Sequence, residues 1–332
     1  MKKNQNNHFL KLAFEQAKIN LGSTGSNPSV GCIVEKYGSV VSSGHTSLTG
    51  RPHAEFNALN QRDNLKNANV FVTLEPCAYF GKTPPCTNLI IRKKIKKVFF
   101  SIFDSNPLTS HKSLKILNKK KIIVNSNMLN SYGKYFYTSY LKSQKIGMPQ
   151  IDGKIAISKD YFTKNKKTKW ISNLQSRRVG HYLRSQYNCI ISTSKSINED
   201  NSLLNCRING LEKKSPIVII IDRQLKIKNN INLFKNNNKK VYLVTTIYNR
   251  NKWTALKKKG VKIIRISKLD DKKSFLQLFK RLNNMGYPRV FIESGLIFLN
   301  KLLSNNLIDH MFLFKSNKKL GKNGINYGSN KI

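Results

Sequence analysis

The sequence has 332 residues, of which 39% are hydrophobic, enough for two domains with separate cores. Its five cysteines do not suggest a disulfide framework, and neither the polar N-terminus nor any apolar run resembles a signal peptide or a membrane span. These features argue against a secreted or membrane protein, and we expect a cytoplasmic one.

The formal net charge of +44 raises the question of nucleic-acid binding, because a basic surface concentrates phosphate groups. However, the lysines are scattered through every segment together with asparagine and isoleucine, and no motif of an RNA-binding module is present. A composition rich in lysine, asparagine and isoleucine throughout the chain explains the charge better than a nucleic-acid-binding surface does. Nucleic acid is therefore not the expected partner, although a phosphorylated small substrate would benefit from the positive field.

The first part of the chain alternates between helical and β patterns. Helices are predicted over 8–20, 53–62, 87–94, 113–118 and 127–142, and strands over 30–34, 39–42, 69–74, 98–102 and 122–124. Alternation of this kind predicts a three-layer α/β domain.

A polar stretch with glycine and proline, 142–149, separates this part from a second β-rich region, so we divide the chain into domains 1–145 and 146–332. The predicted strands of the second domain are 151–157, 189–192, 216–221, 241–245, 261–266, 289–292 and 311–314, with helices over 175–185, 252–259, 274–285 and 298–304. This pattern predicts a second α/β domain with a largely parallel sheet. No Gly-x-Gly-x-x-Gly follows a strand, which argues against a Rossmann domain.

Two short motifs in the first domain carry the clearest chemical signal. One is Pro52-His53-Ala54-Glu55, and the other runs from Glu75-Pro76-Cys77 to Pro84-Pro85-Cys86. Catalytic zinc takes three ligands from imidazole and thiolate and keeps a fourth position for water, and His53, Cys77 and Cys86 supply that set. Glu55 can then carry a proton from the water to a leaving amine. Unrelated buried or surface residues are the usual explanation for such a set, but the flanking residues favour zinc.

His-x-Glu followed by Pro-Cys is the signature of zinc deaminases, although eight residues here separate Cys77 from Cys86 where two are usual. The longer spacing, with Gly-Lys-Thr-Pro-Pro inside it, resembles the deaminase half of the bifunctional deaminase/reductase family of riboflavin biosynthesis. The resemblance implies a cytidine-deaminase-like fold and substrate binding by Asn27, His45 and Lys82. On local grounds Asn27 is equally a turn residue before proline.

The second domain resembles the reductase half of the same family. The motifs that carry this resemblance are Ser158-Lys159-Asp160, Trp170-Ile171-Ser172, Glu199-Asp200, Leu204-Asn205-Cys206-Arg207 and Glu293-Ser294-Gly295. The resemblance implies a dihydrofolate-reductase-like fold that uses NADPH. It assigns the cofactor to Ala156, Trp170, Ser196, Asp200 and Gly295. It assigns the substrate, including its sugar phosphate, to Thr168, Arg184, Leu204, Arg207 and Glu293.

The implied activity is zinc-dependent deamination of a phosphoribosylated diaminopyrimidine, followed by NADPH reduction of the ribosyl group to a ribityl chain, in a homodimer or higher oligomer with one zinc ion per chain. The chain departs from the family pattern at Tyr161, where glycine is usual, at Asn201, where proline is usual, and in ending soon after Gly321. Two alternatives follow. One is a deaminase with a lapsed reductase domain, and the other is a tRNA or nucleic-acid deaminase.

Overall fold

The structure is a computed structural model that describes residues 2–168, 170–235 and 239–326. The chain forms two compact units, Met1–Met148 and Pro149–Ile332, and the boundary between them falls inside the predicted linker. No helix in the described ranges is long and apolar enough to cross a membrane.

The first unit is a five-stranded sheet with six helices. The helices are α1 (Lys2–Ile19), α2 (Ala54–Leu59), α3 (Cys86–Arg92), α4 (Lys112–Lys119), α5 (Asn130–Phe136) and α6 (Thr138–Ile146). The strands are β1 (Gly31–Lys36), β2 (Ser39–His45), β3 (Asn69–Leu74), β4 (Lys97–Ile102) and β5 (Ile123–Asn125). Their order is β2-β1-β3-β4-β5, with β1 antiparallel to both neighbours and β3, β4 and β5 parallel.

Local sequence explains most of this unit. Tyr37 and Gly38 both have positive φ, at 54° and 83°, so they form the two-residue turn that the twist of a hairpin favours. The predicted apolar stripe of α1 lies against the sheet, with Leu10 and Phe14 fully buried. Helix α2 is shorter than predicted and ends at Leu59.

The predicted helix over 127–142 is wrong, because the structure contains two helices that meet at Tyr137. The Tyr137 side chain is 2% exposed, and its hydroxyl hydrogen-bonds to Thr73 Oγ1 (2.5 Å) and the Ser29 carbonyl (3.2 Å). Buried hydroxyls require such partners. The apolar spacing shows that Tyr137 faces the sheet but not that the backbone breaks there.

The second unit is built on a seven-stranded sheet. Its strands are β6 (Gln150–Ile157), β8 (Cys189–Thr193), β9 (Ile217–Ile221), β10 (Val241–Thr245), β11 (Val261–Arg265), β12 (Arg289–Ile292) and β13 (His310–Lys315), and β7 (Lys164–Asn165) pairs separately with β14 (Gly324–Ile325). The helices are α7 (Leu174–Ser185), α8 (Ser194–Asp200), α9 (Arg250–Lys258), α10 (Lys272–Asn284) and α11 (Leu296–Ser304).

The order of the large sheet is β11-β10-β9-β8-β12-β6-β13, and all its neighbouring strands are parallel. The carboxyl ends of β8, β9 and β12 therefore meet at one edge, which is where ligands bind in open parallel sheets. Helix α8 begins at this edge and is absent from the predicted elements. Its short sequence carries a single fully buried apolar side chain, Ile197, so periodicity does not reveal it.

Candidate active sites: a metal centre and a reductase cleft

Three candidate metal ligands converge in the first unit. His53 precedes α2, Cys77 follows β3, and Cys86 begins α3. His53 Nδ1 lies 3.6 Å from Cys77 Sγ and 3.5 Å from Cys86 Sγ. A tetrahedral zinc ion with ordinary Zn–N and Zn–S bonds sets its nitrogen and sulfur ligands about 3.6 Å apart. The three side chains therefore fit zinc without rearrangement.

The Cys77 sulfur lies in an environment that favours its thiolate form. The Cys86 backbone N–H donates to Cys77 Sγ at 3.2 Å. Cys86, and then His53, lower the pKa of the Cys77 thiol to about 4 despite its burial. Because thiolates rather than thiols bind metal ions, this environment favours metal binding.

Glu55 lies in the first turn of α2 and is 4% exposed. Burial, with the charge of Cys77, raises the pKa of Glu55 to about 7. A carboxyl group with a pKa close to neutral can both accept and donate a proton, which is the requirement for acid–base catalysis.

Two of the candidate ligands, His53 and Cys77, line a cavity of about 150 Å³ together with Glu55. Asn27 lines this cavity, and its Nδ2 donates to the Gly50 carbonyl at 3.0 Å. Within the described part of the chain, His45 and Lys82 are not among the lining residues. His45 Nδ1 is 3.4 Å from Gln16 Oε1, and Lys82 is exposed.

The sequence reasoning did not assign two charged residues of the cavity wall. Arg51 donates to Thr83 Oγ1 at 2.6 Å and so braces the loop between the cysteines. Glu75 accepts hydrogen bonds from the backbone N–H groups of Asp104, His111 and Ser113, which fixes the loop after β4. In the sequence, the only local signal for Arg51 and Glu75 is that each lies two residues before a candidate zinc ligand, His53 or Cys77.

In the second unit, a cleft of about 360 Å³ lies where β8, β9 and β12 end. Two predicted cofactor residues, Ser196 and Gly295, line it together, and the Gly295 N–H donates to Ser196 Oγ at 3.2 Å. The starts of α8 and α11 also line the cleft. Helix N-termini and basic side chains favour phosphate groups. Basic residues among the described lining are Lys164, Lys195, Arg223, Lys226 and Lys301, against the acidic residues Glu199 and Asp222.

The predicted substrate residues Arg184 and Glu293 form a bidentate ion pair. Arg184 Nε donates to Glu293 Oε1 at 3.1 Å and Nη2 to Oε2 at 2.7 Å, and the two side chains are 15% and 11% exposed. Burial alone would raise the pKa of Glu293, but Arg184 and Lys154 outweigh it and lower the pKa. Lys154 on β6 is a further charged residue that the sequence reasoning did not assign.

Arg207 and Leu204 lie in the segment that follows α8. Leu204 is buried, with φ of 48°, and Arg207 Nη1 donates to Asn205 Oδ1 at 3.3 Å. Arg184 Nη1 reaches the same segment at the Asn205 carbonyl, 3.0 Å away. The structure thus brings Arg184, Leu204, Arg207 and Glu293 into one neighbourhood.

The other predicted residues are more dispersed. Ala156 pairs with Phe314 across β6 and β13, and Asp200 is the exposed last residue of α8. Trp170 is 49% exposed beneath the Arg177 guanidinium, 4.8 Å from the ring centroid, and Thr168 Oγ1 accepts from Asn165 Nδ2. None of these four is among the described residues lining the cleft.

The departures from the family pattern are accommodated in the backbone. Tyr161 adopts φ of 66° and Asn201 adopts φ of 47°. Asn tolerates this region, whereas a tyrosine in it is strained by about 1–2 kcal/mol. Lys315 Nζ lies 4.5 Å from the Tyr161 ring centroid and donates to its hydroxyl at 3.2 Å, which helps to hold that conformation.

Family models match both units. Residues 3–102 match the cytidine and deoxycytidylate deaminase zinc-binding region, and residues 150–328 match the RibD C-terminal domain. These matches confirm the expected cytidine-deaminase-like and dihydrofolate-reductase-like folds.

Known proteins resemble the chain over nearly its whole length. The riboflavin biosynthesis protein RibD of Aquifex aeolicus is 30% identical, covering 97% of this chain and 89% of that protein. The structure of Acinetobacter baumannii RibD, form 2, has a TM-score of 0.85 at 27% identity, covering 100% of this chain and 92% of that one.

A Thermotoga maritima structure, described as a diaminohydroxyphosphoribosylaminopyrimidine deaminase/5-amino-6-(5-phosphoribosylamino)uracil reductase, has a TM-score of 0.84 at 27% identity. It covers 98% of this chain and 90% of that one. Fold, zinc-ligand geometry and these full-length similarities agree that the chain belongs to the RibD family of riboflavin biosynthesis proteins, enzymes that join a deaminase to a reductase.

Proposed function

We propose that the first domain, residues 1–145, deaminates 2,5-diamino-6-(5-phosphoribosylamino)pyrimidin-4-one, and that the second domain, residues 146–332, reduces the ribosyl group of the product to a ribityl chain with NADPH. The observation that carries the deaminase assignment is the set of His53, Cys77 and Cys86 at zinc-ligand separations, beside the buried carboxyl of Glu55.

Zinc held by these three ligands would activate a water molecule for attack on the amino-bearing carbon. Glu55 is the catalytic residue, which takes a proton from the attacking water and delivers it to the departing amine. Its burial supports this role, because a carboxyl group with a pKa of about 7 can complete both transfers near neutral pH.

Asn27 is positioned on the cavity wall to recognise the edge of the pyrimidine ring. His45 and Lys82 complete the proposed substrate contacts, with the Lys82 ammonium directed to the phosphate. Both lie outside the cavity lining among the described residues, so their contacts require the part of the substrate that extends beyond the cavity.

In the second unit, NADPH would occupy the cleft at the carboxyl edge of the parallel sheet and supply a hydride to the sugar. Ser196 and Gly295 bind it there, with Ala156, Trp170 and Asp200 around it. The N-terminal turns of α8 and α11 and the surrounding lysines attract its phosphates. Thr168, Arg184, Leu204, Arg207 and Glu293 hold the substrate. We further propose a cytoplasmic homodimer or higher oligomer.

The reductase assignment is tested by supplying the deaminated intermediate directly, with NADPH or NADH. We expect oxidation of NADPH, in preference to NADH, and formation of the ribityl product by chromatography. No consumption of either nucleotide by folded protein would contradict the assignment. The deaminase step plays no part in this experiment.

A further inference from the structure

An excess of positive charge surrounds the segment 203–207 of the second unit. Arg207 belongs to this segment, Arg184 donates to its Asn205 carbonyl, and the ammonium of Lys239 donates to its Leu203 carbonyl. Burial of the Lys239 side chain, together with the positive charges of Arg184 and Arg207, lowers its pKa to about 7. In the described residues, no carboxylate forms an ion pair with Lys239.

The carboxylate that Arg184 contacts is already engaged. Glu293 receives two hydrogen bonds from Arg184, through Nε and Nη2, and a third donor of Arg184, Nη1, is directed to the Asn205 carbonyl. Arg184 therefore uses three of its guanidinium nitrogens in hydrogen bonds within the protein. Arg207 and Lys239 are two described cations of this neighbourhood that form no ion pair with a described carboxylate.

Arg207 is exposed, whereas Lys239 is half-buried. Neighbouring like charges are unfavourable where water is partly excluded, unless an anion joins them. A phosphate group supplies that anion, since it accepts several charge-assisted hydrogen bonds from arginine and lysine at once. The sugar phosphate of the proposed substrate is the phosphate that must bind near Leu204 and Arg207.

We propose that Lys239 is an additional phosphate-binding residue of the reductase site, acting with Arg207, while Arg184 chiefly positions Glu293. This inference rests on the proposed function of the second unit. Neither the motifs nor the resemblance points to Lys239, which follows the segment 236–238 and is separated from Arg207 by 31 residues in the sequence.

As a consequence, Lys239 should take up a proton when the phosphate binds. The Lys239 ammonium donates to the Leu203 carbonyl, and burial with the charges of Arg184 and Arg207 lowers its pKa to about 7, so the unliganded side chain loses its proton near neutral pH. A bound phosphate dianion raises its pKa again. Affinity for a sugar phosphate should therefore fall as the pH rises from about 7 to 9, because a phosphate monoester, with a second pKa of about 6, is already almost entirely a dianion over this range.

Three variants test the proposal in the full-length protein: Lys239→Met, Lys239→Arg and, as matched control, Lys240→Met. Lys240 is the adjacent lysine and is exposed. Reductase kinetics are measured with the deaminated phosphorylated intermediate and with its dephosphorylated ribosyl form. Binding of ribose 5-phosphate is measured by calorimetry between pH 7 and pH 9 in two buffers of different ionisation enthalpy.

We expect Lys239→Met to raise KM for the phosphorylated substrate by roughly 10- to 100-fold, the effect of one charge-assisted hydrogen bond. KM for the dephosphorylated form should not change. Lys239→Arg should restore the affinity but abolish proton uptake, because arginine stays charged throughout this pH range. Lys240→Met should resemble the wild type.

An equal loss with both substrates would show that Lys239 only supports the fold, and an unchanged KM would overturn the proposal outright. If the wild type reduces neither substrate, the proposed function fails, and the ribose 5-phosphate titration still decides the role of Lys239. Ribose 5-phosphate binding that is lost in Lys239→Met but kept in Lys240→Met would then support the proposal. Equal binding in both variants, or none in the wild type, would contradict it.

Discussion

Glu55 lies beside the candidate zinc ligands, where the charges of Cys77 and His53 both act on its carboxyl group, and we propose it as the proton carrier of the first unit. Replacing Glu55 by glutamine keeps the size of the side chain but removes the proton carrier. We expect ammonia release to fall by about 10²- to 10⁴-fold, the usual contribution of acid–base catalysis. The measurement is the rate of ammonia formation by zinc-loaded protein.

The zinc content of the Glu55→Gln protein is the necessary control, because a lost metal ion would also abolish the reaction. We expect about one zinc ion per chain in both proteins, since Glu55 is not one of the ligands. A variant that binds zinc and still releases ammonia at the wild-type rate would exclude Glu55 as the proton carrier.

The Arg184–Glu293 pair gives the second unit a pH-dependent stability. The folded pKa of Glu293 lies below its ordinary value of 4.5, so the stabilisation is complete above that pH and is lost as the pH falls through the lower folded value. At pH 7 we expect Glu293→Gln to lower the free energy of unfolding of this unit by about 3 kcal/mol. The difference from wild type should shrink towards pH 3.5.

Denaturant unfolding of both proteins between pH 7 and pH 3.5 measures this difference. Glu212→Gln is the matched control, because Glu212 is an exposed glutamate of the same unit. If the loss of unfolding free energy in Glu293→Gln stayed constant over the whole pH range, the charge of Glu293 would not be the source of the stabilisation.

At the level of single residues, sequence predicts what a local motif encodes. His53, Glu55, Cys77 and Cys86 are found because zinc chemistry requires particular residue types at short spacing. Lys239 is not found, since its role depends on Arg184 and Arg207 reaching it from distant parts of the chain. Lysine is also so abundant here that no single one stands out.

Helix α2 carries Glu55 and begins immediately after His53, so the metal centre depends on how this helix packs against β2. A Cβ atom at Gly44 of β2 would lie 2.5 Å from the backbone oxygen of Ala54 and 2.5 Å from the backbone nitrogen of Ala58. Backbone atoms of a helix cannot move individually, because each is fixed by the helical hydrogen bonds around it. The whole helix would have to shift.

Gly44→Ala should therefore weaken zinc binding and deamination, and destabilise the first unit by about 3 kcal/mol. Zinc titration and thermal unfolding measure both effects. Gly180→Ala in α7 is the control, because no described atom beyond its chain neighbours and its own helix backbone lies within 4 Å of the added methyl group. It should stabilise the protein by about 0.5–1 kcal/mol. A Gly44→Ala protein with normal zinc affinity would show that α2 can shift without disturbing the ligands.

At the level of elements, strands and long helices were predicted where the apolar period is clear. Strand β3 has the predicted bounds, and all the predicted strands of the parallel sheet are present. The break at Tyr137 and the helix Ser194–Asp200 were missed. Both features depend on tertiary hydrogen bonds and burial, which produce no periodic pattern of apolar residues in the sequence.

At the level of the whole molecule, the two compact units each contain a separate site: the metal centre in the first, and the cleft with the Arg184–Glu293 neighbourhood in the second. The order of the two reactions is set by chemistry, because the reductase receives the product of the deaminase. A single chain should therefore couple ammonia release to NADPH oxidation.

The most direct measurement follows ammonia release and NADPH oxidation together, in zinc-loaded protein given the phosphoribosylated diaminopyrimidine. We predict that both occur, and that Glu55→Gln loses both but oxidises NADPH again when the deaminated intermediate is supplied. Ammonia without NADPH oxidation would contradict the reductase assignment, and no ammonia from the zinc-loaded wild type would contradict the deaminase assignment.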